Sequence, residues 1–308
     1  MKRALIAALL LSGMAAAQQT GVPQQPQQIT NLVERASGPT YSDQYCAGYI
    51  TNKGPDAAKY VIAGAETPFQ ADYSTPETIF LEGSGYAEGG RYTIIRALKD
   101  PNQYEMFPGQ RSAIAGLGAA YAEVGRVKIK AVRGENAVAD IEFACQQIVP
   151  GDYVVPFAEK PPIVYKAKAS FDRFPPTSGS LKGRILLAKE FDSILGQGNK
   201  VYLNVGADKG VKVGDYFRAV RGYDPNSMNQ VDALSYKINA MEDTQGNAVT
   251  PSAERYGKLP LRALGEMIVL EVTPSSATAM ITLSLESINV GDYVELEGPG
   301  APPSPNQQ

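Results

Sequence analysis

The sequence predicts an all-β protein made of two tandem modules, each a small antiparallel barrel or sandwich, that arose by internal duplication. Residues 265–296 match residues 125–156 at a fixed offset of 140 positions, without a gap. Within the first copy apolar and polar residues alternate, which is the period of strands with one buried face. Glycine-rich turns separate these short runs, and that combination is typical of small barrels and sandwiches.

In the first module the pattern predicts seven short strands and hardly any helix. Gly134 and Asn136 supply the residues that a tight connection with positive φ requires, so residues 126–145 are predicted to form one long hairpin. The predicted strands span residues 45–50, 59–63, 79–81, 91–97, 126–132, 138–145 and 153–157. The predicted core positions are Val127, Ile129, Ile141 and Phe143 in the first module and Met267, Val269, Ile281 and Leu283 in the second.

Composition places the modules within the chain. Residues 1–17 have the basic, apolar and small-residue order of a secretory signal peptide, which predicts export to the periplasm or outer membrane. The remaining predicted parts are a flexible leader (18–40), module one (41–157), a Pro-rich linker (158–182), module two (183–297, with an insertion at 223–263) and a disordered tail (298–308). No later stretch offers the roughly 20 apolar residues of a membrane-spanning helix, so none is predicted in the mature chain.

The composition excludes several classes of function. A net charge of -3, from 29 basic and 32 acidic residues, gives no basic surface for nucleic acid. The chain has 0 His, which removes the Ser-His-Asp triad, the Cys-His dyad and histidine-ligated metal sites. Carboxylate pairs are many, but no spacing singles one out. We therefore predict no enzyme, and no catalytic, cofactor or metal-binding residues.

Cys46 and Cys145 are the only cysteines of the chain. An oxidising compartment favours a disulfide between them, and the alternative is two buried free thiols. Closing a barrel brings early and late strands together, which favours the pairing. This prediction places Cys46 in the first strand, aligned with Leu181 through the glycines Gly48 and Gly183.

The Gly-Asp dipeptides at 151, 214 and 291 precede aromatic residues, and their carboxylates are isolated. Calcium loops group several oxygen ligands, so these aspartates are predicted to bond backbone amides of their own turns. The glycines of residues 83–90 and 206–214 lie between strands, with no Lys-Ser/Thr and no helix after them. They predict inter-strand loops with positive φ, in preference to phosphate-binding loops.

Tyrosine is enriched, with 17 Tyr against 9 Phe. Amphipathic rings at a surface suit protein or glycan recognition, and the alternative is that they fill half-exposed barrel positions. The early cluster comprises Tyr41, Tyr45, Tyr49, Tyr60 and Tyr73.

The outward face of the second hairpin is predicted to be apolar where the first is charged. Ile268, Leu270 and Met280 align with Lys128, Lys130 and Asp140. An exposed strip of this kind usually marks a contact, so these three residues are a candidate interface. The alternative is internal cover by the insertion or by the linker.

Three runs of the second module carry a family resemblance. They are VYLNVGADKGVKVGDYF at 201–217, GEMIVLEV at 265–272 and INVGDYV at 288–294. Together they resemble the C-terminal domain of the flagellar assembly protein T family, in which a strand ending Asn-x-Gly, a Gly-Val-x-x-Gly-Asp loop and a closing Gly-Asp-x-Val recur. The resemblance implies a small β-barrel-like domain in a periplasmic protein that assembles around envelope machinery.

These observations lead to two expectations about function. The first is a non-enzymatic exported protein that assembles with envelope proteins as a structural module of a periplasmic or outer-membrane complex. The second is a protein that binds peptidoglycan or another glycan through exposed tyrosines. No cofactor is expected in either case.

Overall fold

The computed structural model describes residues 38–166, 171–176, 180–222 and 258–297. Over these residues the chain forms two large antiparallel sheets and a short two-stranded one, so the all-β prediction is confirmed. The predicted signal peptide, most of the predicted leader, parts of the predicted linker, residues 223–257 and the predicted tail lie outside the described residues. Within the described part, the structure contains no helix of the length and apolarity needed to span a membrane.

The first sheet contains seven strands. The elements are α1 (Tyr41–Tyr45), β1 (Tyr49–Thr51), β2 (Val61–Gly64), β3 (Thr78–Glu82), β4 (Arg91–Ala97), α2 (Gln110–Leu117), β5 (Ala119–Arg133), β6 (Asn136–Ala144) and β7 (Tyr153–Pro156). Six strands follow the order β2-β3-β6-β5-β4-β7, and β1 pairs with the start of β5. The Val61 amide bonds the Asp152 carbonyl at 2.9 Å and the Val154 amide bonds the Lys59 carbonyl at 3.0 Å, so the two ends of the path meet.

The second sheet is a closed six-stranded barrel. The elements are β8 (Lys182–Ala188), β9 (Ile194–Leu195), β10 (Lys200–Leu203), a 3-10 turn (Ala207–Lys209), β11 (Tyr216–Arg221), β12 (Arg262–Val272), β13 (Ala277–Ser284), β14 (Ile288–Asn289) and β15 (Tyr293–Glu297). Its order is β8-β10-β13-β12-β11-β15, and β9 pairs with β14 outside it. Setting β1, β9 and β14 aside, both sheets arrange their strands first, second, fifth, fourth, third, sixth.

Matching glycines fix the same close approach in both sheets. A Cβ on Gly125 would lie 2.8 Å from the Phe143 carbonyl oxygen, and one on Gly265 would lie 2.1 Å from the Leu283 carbonyl oxygen. Any other residue would push β5 away from β6 in the first sheet, and β12 away from β13 in the second. The glycines and their partners are separated by the same offset of 140 positions.

In each sheet, all six strands of the common order contribute buried side chains to one core. Seven of the eight predicted core positions are buried, as expected. Phe143 is the exception, since it is only half-buried and packs against Tyr41 at 5.6 Å. The pairing of β5 and β6 skips Glu142 at a bulge, so Phe143 lies opposite Arg126, just as the buried Leu283 lies opposite Glu266 in the second sheet.

The predicted first strand at 45–50 is wrong. Thr40 caps α1 there, with Asp43 completing a capping box, and only Tyr49–Thr51 forms a strand. The strand that corresponds to β8 is β2, since Tyr60 bridges Tyr153 as Arg184 pairs with Tyr293. The alignment of Gly48 with Gly183 is therefore also wrong.

The segment between β4 and β5 was not predicted to form structure, yet it contains α2 and packs on the second barrel. The Gln110 side-chain amide donates to the Leu186 carbonyl at 2.8 Å. The Phe107 ring covers the guanidinium of Arg184, with the carbon 3.7 Å from the ring centre. This segment therefore ties the two sheets together at β8.

Candidate functional site

The aspartate of the first Gly-Asp turn serves the fold. Asp152 is buried and accepts the Val149 amide at 2.8 Å, as predicted for a turn aspartate. Its two oxygens also accept Nε and Nη2 of Arg96, each at 2.7 Å. The same Nη2 donates to the Gln147 carbonyl at 2.8 Å. The arginine therefore links β4 to the turn that precedes β7.

The second module repeats this arrangement. Asp292 accepts the Asn289 amide at 2.7 Å and binds Arg221 through Nε at 2.9 Å and Nη2 at 2.6 Å. The same Nη2 reaches the Ser287 carbonyl at 3.2 Å. The turns were predicted from the sequence but the arginines were not, because they stand on another strand.

Arg221→Lys is expected to lower the free energy of unfolding by about 1.5 kcal/mol, the low end for a lost hydrogen bond to a charged group. An ammonium cannot hold both Asp292 oxygens and the Ser287 carbonyl in one plane. Urea unfolding measures the change. The matched control is Arg133→Lys, whose pair with Glu88 is exposed and 3.7 Å apart, and which should change stability little. Equal effects of the two substitutions would contradict this role.

The glycine loops are inter-strand turns, as predicted. Residues 83–90 join β3 to β4, and residues 206–214 lie between β10 and β11. Positive φ occurs at Gly83, Gly85, Gly89, Gly210 and Gly214. In the second loop Asp215 accepts the Lys212 amide at 2.8 Å, so the third predicted turn aspartate also bonds its own backbone.

Cys46 and Cys145 form a disulfide with their Cα atoms 5.7 Å apart, which confirms the pairing. Its position differs from the prediction, since Cys46 ends α1 and Cys145 follows β6. The bond therefore fastens the segment after α1 to the first sheet and does not join two barrel strands.

That segment, residues 46–51, is here named the strap, and it lies between the sheets. On one side β1 pairs with β5 through Tyr49↔Tyr121 and its neighbours. On the other side its carbonyls accept hydroxyl groups of the second module. The bonds are Thr278 Oγ1 to the Gly48 carbonyl at 2.7 Å, Ser276 Oγ to the Ile50 carbonyl at 2.8 Å and Thr273 Oγ1 to the same carbonyl at 2.9 Å.

The predicted apolar strip is covered from within the chain. Ile268, Leu270 and Met280 are 0%, 0% and 3% exposed. Ala47 of the strap joins their cluster, and Ile163 and Tyr165 of the linker pack against it. Of the two alternatives, internal cover is the one observed, so these residues form a contact between the modules and offer no surface to a partner.

A lysine of the linker occupies the centre of the same junction. Lys160 Nζ lies 2.8 Å from Glu123 of β5 and 2.9 Å from Glu271 of β12. It also donates to the Gln44 carbonyl at 3.0 Å, and Glu123 accepts the Gly48 amide at 3.1 Å. These contacts join both sheets, the strap and the linker through one largely buried cation, and we name this cluster the lysine junction.

Burial and charge oppose each other at the lysine junction. Burial lowers the pKa of Lys160, but attraction to Glu123 and Glu271 outweighs it and the net pKa is raised. Burial raises the pKa of Glu123, and the opposing pull of Lys160 does not fully offset it. A lysine held charged by two carboxylates is suited to structure rather than to proton transfer.

Beside the lysine junction lies a shallow groove of about 540 Å³. Its lining residues are Tyr41, Gln44, Tyr45, Glu159, Lys160, Pro161 and Pro162. The Tyr41 and Tyr45 rings are 4.3 Å apart, and Tyr45 stacks on Phe157 at 5.8 Å. We name this surface the tyrosine groove.

The early tyrosines divide between the two predicted roles. Tyr73 is 1% exposed and belongs to the first core, whereas Tyr41 is 50% exposed. Burial raises the pKa of Tyr49 to about 12, with the charges of Glu123 and Glu271 adding to the shift. Only part of the cluster is therefore available for recognition.

Among residues 38–166, 171–176, 180–222 and 258–297, no group of three or more Cys, Asp or Glu residues could hold a metal ion. Comparison with known protein families and with curated proteins finds no match for this chain.

Proposed function

We propose that the protein is a non-enzymatic, exported envelope protein whose two β modules act as one structural unit in a periplasmic or outer-membrane complex. The observation that carries this proposal is the set of contacts between the two modules. The strap, the linker and the segment between β4 and β5 all bind the second barrel, and the largely buried ammonium of Lys160 joins both sheets. A surface that spans two fixed modules suits assembly with other proteins.

Further observations support export of the protein and the common origin of its two modules. A disulfide favours an oxidising compartment, which agrees with the signal peptide predicted for residues 1–17. The common strand order of the sheets, with matched glycines and Arg-Asp pairs, supports an origin by internal duplication. The resemblance to the C-terminal domain of flagellar assembly protein T adds the envelope context.

Crosslinking in intact cells, followed by mass spectrometry of purified adducts, tests the proposal. We expect the disulfide-bonded chain to form discrete adducts with a small set of envelope proteins. The control is the Lys160→Met chain, in which the junction is weakened and the adducts should decrease. Recovery of the chain without any protein adduct would contradict an assembly role.

Glycan binding is a second candidate, favoured by the half-exposed ring of Tyr41 in the tyrosine groove. Purified cell-wall sacculi, stripped of protein, separate the two functions. Retention by bare sacculi supports glycan binding. Retention only by sacculi that keep their envelope proteins supports assembly.

A further inference from the structure

We infer that the tyrosine groove receives a proline-rich, extended segment of a partner protein. This inference rests on the proposed assembly role and names the chemistry of the partner. Tyr41, Tyr45, Pro161 and Pro162 line the groove and give it an aromatic and apolar surface. Shallow grooves lined by aromatic rings are the surfaces that bind polyproline II segments, which are extended before binding and lose little entropy.

The hydroxyl groups in the groove are committed as acceptors. Tyr45 Oη accepts the Lys160 amide at 2.9 Å, and Tyr41 Oη accepts Nη1 of Arg126. Each hydroxyl therefore keeps its proton to donate, and neither donates it to another described residue. A proline-rich segment offers carbonyl acceptors and lacks amide donors at its prolines, so it complements a groove that presents donors.

Two of the remaining polar side chains of the groove make hydrogen bonds or ion pairs within the chain. Gln44 Nε2 donates to the Pro161 carbonyl at 2.6 Å, and Lys160 Nζ binds the two carboxylates of the lysine junction. Glu159 is exposed, and its charge helps to raise the pKa of Arg91. A basic residue beside the prolines would complement its charge.

A glycan fits this surface less well. Sugar hydroxyls both donate and accept, and a sugar bound between aromatic rings needs several unused polar partners. The groove offers Glu159, the side-chain oxygen of Gln44 and two hydroxyl protons. The protein ligand is therefore favoured, and glycan binding becomes an outcome of the test.

The test titrates the full-length, disulfide-bonded chain with a fluorescent oligoproline peptide flanked by arginines, read by anisotropy. Tyr41→Phe and Tyr45→Phe keep the rings and remove the donors, and each should weaken binding by about fivefold, as one net hydrogen bond predicts. Tyr41→Ala should weaken it by at least about tenfold, as for a lost aromatic anchor. Tyr104→Ala is the matched control, because Tyr104 is 82% exposed outside the groove, and it should bind as the unchanged chain does.

Four outcomes overturn the inference. They are no binding of the peptide, equal affinity of the Tyr41→Ala and unchanged chains, displacement of the peptide by soluble N-acetylglucosamine oligomers, and tighter binding after removal of residues 298–308. The last would assign the groove to the chain's own proline-rich segment. If peptide binding fails while crosslinked envelope adducts persist, the groove is wrongly assigned and the assembly role stands. Near-ultraviolet circular dichroism confirms that each variant is folded.

Discussion

Replacing Lys160 with methionine is expected to lower the free energy of unfolding by about 3–5 kcal/mol, the cost of leaving buried charges without their partner. Glu123 is 5% exposed and lies 2.8 Å from the ammonium, and Glu271 lies 2.9 Å from it. Without the cation, the two carboxylates repel each other, and burial favours protonation of Glu123. Urea unfolding at neutral pH measures the loss.

A second substitution should recover much of this stability. In Lys160→Met with Glu123→Leu, the cation and the more buried of its carboxylates give way to apolar side chains, which is often neutral or stabilising. The matched control is Lys130→Met, since the Lys130 and Asp140 side chains are 57% and 42% exposed and such pairs contribute little. A loss in Lys160→Met no larger than in this control would refute the lysine junction.

The contribution of Lys160 to stability is expected to decrease as pH rises. The pKa of Lys160 is higher in the folded than in the unfolded chain, where it is about 10.5. Its contribution is therefore complete below pH 10.5 and decreases as pH rises through the folded-state value. The difference in stability between the unchanged chain and Lys160→Met should accordingly narrow in alkaline solution. A difference that stays constant through that range would exclude a contribution from the charge.

Removing the disulfide is the second change with a large expected effect. Cys46→Ala with Cys145→Ala opens a link between residues 99 positions apart, and the chain-entropy model gives about 4–5 kcal/mol as the upper figure. Reduction of the unchanged chain should have the same effect. Thermal unfolding with and without reductant measures it, and the double variant should be insensitive to reductant.

The loss should be concentrated at the strap. The bonds that join β2 to β7 involve neither cysteine, so the first sheet keeps its closure. Hydrogen exchange should therefore rise at Tyr49–Thr51 and at the strap-facing end of β13 before it rises in the centre of β5. Uniform acceleration across both sheets would show that the disulfide holds the whole first module and not the strap.

The sequence pattern located most strands of the first sheet, because apolar and polar residues must alternate in a strand that exposes one face to solvent. Residues 126–132 lie within β5, and the turn at Gly134 is where the hairpin reverses. The cysteine pairing and the turn aspartates followed from simple chemistry as well. Each of these features depends on local order or on composition.

The junction could not be predicted in the same way. Residues 45–50 have an apolar character because they are enclosed by both modules, which a period-two pattern cannot distinguish from a barrel strand. Thr40 and Asp43 did carry a readable capping signal. Lys160 carried none, since its partner Glu123 is 37 residues away and a single lysine in a proline-rich linker is normally solvated.

The strap also determines the order in which the chain can be completed. The residues that satisfy its outer carbonyls lie 223 to 230 positions further along the chain. Contacts of such long range form slowly, since a large loop must close before they contribute. The outer carbonyls of the strap must therefore wait for the synthesis of β13 before they are bonded. A chain interrupted before residue 273 would keep β1 with one edge open, and an open strand edge is a site for pairing with the wrong molecule.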